Sequence, residues 1–420
     1  MLKTSLFKTK KEFLFFVFTC SFVFGLNLFS EYKNYKQLLT AKTLYATVQK
    51  AYIKTKNKKT YKVLKLQTDK NFTFYTVANK NLKVGFDDKV RLKIWTKKLT
   101  FYEYLSGGFL FSKTLHVEKK QTNRQKLNQL IASQHKDKNT TLIYQALFSA
   151  TPLTKELQTT FSNLGISHLL AISGFHLGVL ATVLFFAFKP FYNFFHKKFF
   201  PFRSYKIDSF LFVSVVLFFY LSFLNYPPSV LRAYAMLVVG FFLYQRWVKV
   251  ITMQTLFVTV FILLAFFPRL FFSIGFWLSV GGVFFIFLFL NYFKHLKQTI
   301  QFFLLPIYVY ISMLPFSLYL FHNFSDFHIF SILESMVFTL FYPLSIVLHL
   351  LNLGYVFDEA LQKLITLGQN HTYIPFQKEF IYSYILLCFG AVFNKKFFWL
   401  SLLFGCLVLC YSLVQNVTQF

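Results

Sequence analysis

His168, Ser173 and His176 stand in a run where a lipid-facing helix would carry Leu, Ile and Phe. Polar and ionisable groups are costly in hydrocarbon, so they usually face a bundle interior or a wet path. At about 100° per residue the three fall within an arc of roughly 140°, so a continuous helix would set them on one face. That face could line a hydrated path, or it could be a satisfied face inside a bundle. Gly174 and Gly178 form a Gly-x-x-x-Gly pair. This spacing lets a second helix approach closely, and packing alone accounts for it.

Asn225-Tyr-Pro-Pro-Ser-Val-Leu-Arg-Ala-Tyr234 ends a loop and starts a helix, with Ser229 as the expected cap. Arg232 then falls about one turn inside a span. Its guanidinium stays charged and its forked donors suit phosphate. Snorkelling to headgroups, or pairing with Glu334, is the alternative. Ser273 and Ser279, among glycines in the run Phe272–Gly282, either line a gap or pack. Pro315, followed by His322, Asn323, Asp326 and His328, predicts a broken helix, and Pro343 a second break or re-entrant turn. Such breaks need protein or cavity partners for the freed backbone.

Other chemistry is missing. The sequence has no phosphate-binding Gly-rich loop ending in Lys-Ser/Thr, no His-Glu-x-x-His and no His-x-His-x-Asp-His cluster. The spacing of Ser173 and His176 allows a dyad, but no third orienting residue or oxyanion donor is apparent. No catalytic residue, metal ligand or cofactor is therefore expected. Cys20, Cys388, Cys406 and Cys410 lie in or beside apolar runs and read as small hydrophobes.

The elements that must position these residues follow from composition. The chain is 55% hydrophobic with 63 Phe, more apolar surface than a soluble domain needs. Repeated stretches of about 18 or more apolar residues read as membrane spans. Spans are expected near 168–188, 208–224, 229–245, 250–267, 271–290, 302–320, 329–351, 382–393 and 397–414. Residues 1–30 are read as an uncleaved first span behind Lys3, Lys8, Lys10 and Lys11. Residues 31–145 hold 25 Lys and Arg against seven acids, a net +18 within a chain of net +30. So basic a block suits anionic headgroups or a polyanion such as nucleic acid. Alternation predicts strands at Tyr61–Leu66, Phe72–Ala78 and Lys89–Ile94, and hence a small OB-like β-barrel domain. Residues 121–145 read as one amphipathic helix. A channel-like bundle is expected over 146–351, and an amphipathic segment with C-terminal spans over 352–420. The fold class is thus mostly α, a polytopic membrane bundle carrying a small β-domain.

Short-loop charge orients the chain. Lys189, Lys197, Lys198, Arg203, Lys206, Arg246, Lys249, Lys294 and Lys297 fall on one side, and only Arg269 on the other. Residues 31–145 are then outside. After residue 320 the parity works only if 321–380 returns to that outer side.

His168–His176, Pro228–Ala233 and Gly275–Ser279 resemble, in order and wording, the signature segments of the ComEC competence family. Phe101–Gly108 resembles the end of that family's outer domain. The resemblance implies an inner-membrane channel for single-stranded DNA, working with a cytosolic DNA-translocating ATPase and periplasmic DNA-receptor proteins. It implies a path lined by His168, Ser173, Gly174, His176, Gly178, Ser229, Arg232 and Ser279. The chain is expected to be a short form without the C-terminal metallo-β-lactamase-like domain. Homo-oligomerisation stays open. The competing reading is a small-solute transporter, or a membrane-embedded hydrolase or transferase using the Ser173/His176 face.

Overall fold

The computed structural model describes residues 6–7, 9–56, 59–119, 121–170, 172–199, 202–245, 250–369, 372–374 and 376–418. Lys3, Lys8, Ala171, Arg246 and Lys249 lie outside the described residues.

Helix α1 (Lys10–Thr40) starts where the Thr9 hydroxyl accepts from the Glu12 N–H. Phe15, Phe18, Phe22, Leu26 and Phe29 stay exposed along it, as a lipid-facing surface requires. Its end leads into five strands: β1 (Thr43–Lys56), β2 (Lys59–Gln67), β3 (Thr73–Ala78), β4 (Lys89–Trp95) and β5 (Phe111–Glu118). Their order is β3-β2-β1-β4-β5, every neighbour antiparallel. Strict alternation decides the faces. Val90, Leu92 and Ile94 point into a core with Val48, Leu64, Leu66, Phe72 and Phe74, while Lys89, Arg91, Lys93 and Trp95 point out. Helix α2 (Phe101–Ser106), held by a Thr100–Glu103 capping box, closes the core's end with Tyr104.

The predicted barrel is corrected to a curled, open sheet. Its edges meet at one parallel bridge between Tyr75 and Phe109. There the Tyr75 N–H donates to the Gly108 carbonyl (3.0 Å) and the Leu110 N–H to the Tyr75 carbonyl (2.9 Å). β5 begins just beyond and pairs with β4, and among the described residues no ladder joins it to β3.

Two helices replace the single one expected over 121–145: α3 (Asn123–Ala132) and α4 (Lys138–Ser149). Asp137 divides them, its carboxylate capping α4 by accepting from the Thr140 N–H at 2.8 Å. Next come α5 (Lys155–Asn163) and the single turn α6 (Ser167–Leu170). The helix predicted to run on from residue 168 is therefore interrupted, and α7 (Gly174–Phe199) starts afresh.

The bundle continues with α8 (Tyr205–Phe223), α9 (Pro228–Gln245), α10 (Met253–Phe266), α11 (Ile274–Tyr292) and α12 (Gln298–Phe321). α12 runs unbroken through Pro306 and Pro315, so the break predicted at Pro315 is displaced to His322, where φ turns to 58°. After β6 (Asn323–Phe324), α13 (Ser331–Leu350) likewise runs straight through Pro343. The predicted break there is absent. α14 (Asp358–Leu367) is the expected amphipathic piece, and it packs on α4 and α5. β7 (Thr372–Tyr373) then pairs with β6, and the Ile374 N–H donates to the His322 carbonyl at 2.8 Å. β6 and β7 thus bring two distant parts of the chain to one place. α15 (Lys378–Gly390) and α16 (Lys395–Thr418) complete the chain.

Among the described residues, eight helical stretches are long and apolar enough to cross a membrane, and α10 is a shorter apolar helix. The protein is a multi-pass membrane protein. Ile143, Leu147, Phe161, Leu164, Leu170, Phe338, Tyr342 and Leu361 share one core. That core builds a helical layer from α4, α5, α6, α13 and α14, at the end of the bundle next to the sheet.

Candidate functional site

The start of α7 explains Ser173 and His176. The Ser173 hydroxyl accepts from the Phe175 N–H at 3.3 Å. His176 reaches back, its Nδ1 lying 3.2 Å from the Ser173 N–H and 3.0 Å from the Ser173 hydroxyl. An N–H can only donate, so Nδ1 accepts and the ring proton sits on Nε2. This is the geometry of a capping box with histidine in place of glutamate. The pair satisfies helix-start donors. Among the described residues no acid pairs with the ring.

Arg232 enters the same corner from α9. Its Nε donates to the Ser279 hydroxyl of α11 at 2.8 Å, and Nη1 lies 3.0 Å from the Met236 sulfur. Among the described residues it forms no ion pair, with Glu334 or any other acid. At 5% exposure it is a cation buried against neutral groups, an expensive state that phosphate oxygens would relieve. Gly174 makes room for it. A Cβ there would sit 3.2 Å from Arg232 Nη2 and 3.1 Å from the Ala233 Cβ. Gly178 faces open space, so only the first glycine of the pair permits a close approach. Ser229 is not the cap of α9. It lies within the helix and donates to the Ile172 carbonyl at 2.6 Å, tying down the interruption before α7.

His168, on the separate turn α6, does not share a helix face with Ser173 and His176. Its Nδ1 faces the Gly165 carbonyl (3.2 Å) and its Nε2 the Ser335 hydroxyl of α13 (3.4 Å). α13 also covers His176, whose ring meets Tyr342 at 4.4 Å and Phe338 at 5.3 Å between centroids. The structure therefore joins Ser173, Gly174, His176, Ser229, Arg232 and Ser279 in one corner, with α13 laid over it. Sequence reasoning missed Ser335 and Tyr342, because nothing local marks which face of α13 turns inward.

A second candidate surface is the outer face of the sheet. Arg91 lies over Tyr45, Lys93 over Trp95, and Lys65 over Tyr75, each with its charge 5.6–5.8 Å from the ring centroid. Cross-strand partners extend these pairs: Arg91 opposes His116, Lys93 opposes Lys113, and Trp95 opposes Phe111. A cavity of about 220 Å³ sits between Tyr45, Arg91 and His116. Lys50 and Lys65 are opposite one another, and burial holds both amines below the ordinary lysine range, with their mutual repulsion adding to it at Lys50. The Lys50 amine donates to Gln158 of α5 at 3.0 Å, so the basic face abuts the helical layer.

A junction fixes the sheet on the bundle. Arg269 and Tyr104 both donate to the same Glu31 oxygen, at 2.7 and 3.0 Å, and the guanidinium lies 4.7 Å over the Tyr104 ring. In the sequence Arg269 stands out only as the lone charge of its side.

Helices apolar on their outward faces, a buried cation with no acid paired to it among the described residues, and a basic, aromatic sheet domain define a multi-pass membrane protein. The family model described as Competence protein matches residues 150–415. More than half of the chain is covered, and the protein belongs to that competence family, the ComEC type. No curated protein and no solved structure matches the chain.

Proposed function

We propose that the protein is an inner-membrane channel that passes single-stranded DNA into the cytoplasm during natural transformation. The observation that supports this reading is Arg232, a buried guanidinium with no acid paired to it among the described residues. A phosphate backbone supplies the missing partner. The sheet face would capture the strand through counterion release, with exposed Tyr45, Tyr75, Trp95 and Phe111 stacking on bases irrespective of sequence. The packing of His176 and Arg232 against their neighbours describes a closed state, in which α13 must shift before a strand passes. Motive force would come from a cytosolic ATPase, and delivery from periplasmic DNA receptors, as the family resemblance implies.

The test is a deletion strain given labelled DNA. It should collect the label outside the inner membrane and yield no transformants. Normal transformation would overturn the reading. The alternative, a small-solute transporter or a membrane-embedded hydrolase or transferase using the Ser173/His176 face, predicts ordinary transformation in that strain.

A further inference from the structure

A part-buried cluster of titratable groups lies outside the corner just described. His135, in the turn between α3 and α4, has both ring nitrogens engaged. Its Nδ1 is 2.9 and 3.1 Å from the two Asp358 oxygens of α14, and its Nε2 is 3.1 Å from His349 Nε2 of α13. His349 Nδ1 is 2.7 Å from the Ser345 carbonyl oxygen. Gln134 clamps the same spot, donating to the His349 carbonyl at 3.1 Å and accepting from the Gly354 N–H at 3.0 Å. The other titratable group facing the two rings is the Tyr144 phenol of α4, whose ring stacks on His135 at 4.6 Å and meets His349 at 4.5 Å. Asp137, nearby in sequence, is occupied in capping α4.

Donor and acceptor rules fix the proton count. A carbonyl only accepts, so His349 carries a proton on Nδ1. The facing Nε2 atoms need one proton between them. His135 Nδ1 and the carboxylate need another. Three protons therefore complete every hydrogen bond, and one imidazolium charge then balances one carboxylate. A fourth proton sets two N–H donors against each other between the rings. A missing proton leaves two lone pairs facing, or a lone pair facing the carboxylate.

We infer that Asp358–His135–His349 is a proton-counting latch, closed in a middle pH range and released on both sides of it. It ties the α3–α4 turn to the end of α13 and the start of α14. α13 also carries Phe338 and Tyr342 over His176, so release loosens the cover of the corner. Only that consequence rests on the channel reading; the latch is tested without DNA.

The test is hydrogen exchange of the backbone amides of 358–367, on the full chain in lipid nanodiscs, from about pH 5 to 9 and corrected for intrinsic exchange. Protection should peak in mid-range and fall about tenfold on each side, as breaking one charged hydrogen bond predicts. Asp358→Asn can donate to an unprotonated His135 Nδ1, so it should keep the acid fall and lose the alkaline one. His349→Gln can turn its amide to meet either state of His135, so its profile should be flat. A flat wild-type profile, or both falls persisting in His349→Gln, overturns the latch. A failed transformation assay would leave it standing.

Discussion

At the scale of single residues, the corner around Arg232 holds side chains that build the helix start and one buried charge that the proposed function assigns to the strand. Ser173 and His176 build. Ser173→Ala removes a helix cap and should cost about 1 kcal/mol, readable as a lower midpoint in thermal unfolding of the detergent-solubilised protein. Arg232 carries the charge. Arg232→Ala should lower transformation about 100-fold at equal membrane abundance, the cost of deleting a buried charge from its binding partner, and Arg232→Lys should recover part of it. Equal transformation in Arg232→Ala would remove the guanidinium from the path. The glycines divide the same way. Gly174→Val drives methyl groups into Arg232 Nη2 and the Ala233 Cβ, and should deplete folded protein from the membrane. Gly178→Ala meets nothing within 4 Å and should express normally. A Gly178→Ala defect matching that of Gly174→Val would show that a helix approaches the second glycine as well. Residue types at the corner were legible in the sequence because each is costly in hydrocarbon. Their roles were not, because Arg232 and Ser279 are 47 positions apart and only the fold brings them together.

At the scale of elements, alternation disclosed β2, β3 and β4, most plainly β4, which sets buried Val90, Leu92 and Ile94 against exposed Lys89, Arg91 and Lys93. It missed β1 and β5. β5 is an edge strand with no fully buried residue, so its pattern carries little contrast. β1 shifts register between Val48 and Lys50, which breaks the period of two midway. The interruption before α7 was legible in retrospect, since Ser173-Gly174 is an ordinary helix-start pair. An apolar run on both sides hid it. The missed strands matter, because they supply Tyr45, Lys50, Phe111 and Lys113 to the basic face. Replacing Arg91, Lys93 and Lys113 together by Gln should weaken oligonucleotide binding by the full chain. The slope of log affinity against log salt should flatten by about two, at roughly 0.7 for each phosphate of a single strand that is no longer neutralised. An unchanged slope would move DNA capture off this face.

At the scale of the whole molecule, the unsettled quantity was parity after residue 320. Length and hydropathy make α13 a candidate span. The chain's own hydrogen bonds argue otherwise. β6 pairs with β7, Asn163 donates to the Gly368 carbonyl at 2.8 Å, and His349 meets His135, so both ends of α13 lie against the layer beside the sheet. A helix with both ends on one side does not cross, and we propose that placement for α13. Leu333, Val337, Leu340, Leu344, Val347 and Leu350 form an exposed apolar stripe along it, as on a helix lying in the membrane surface. With that placement Lys395 and Lys396 share a side with the other short-loop cations, as charge bias expects. The consequence can be measured in cells after the four natural cysteines are replaced. Tyr355→Cys should react with a membrane-impermeant maleimide from outside the inner membrane. Phe202→Cys, fully exposed in the loop between α7 and α8, should react only after the membrane is opened. If Tyr355→Cys also needs the membrane opened, α13 crosses, and the layer that covers His176 cannot sit on the side where DNA arrives.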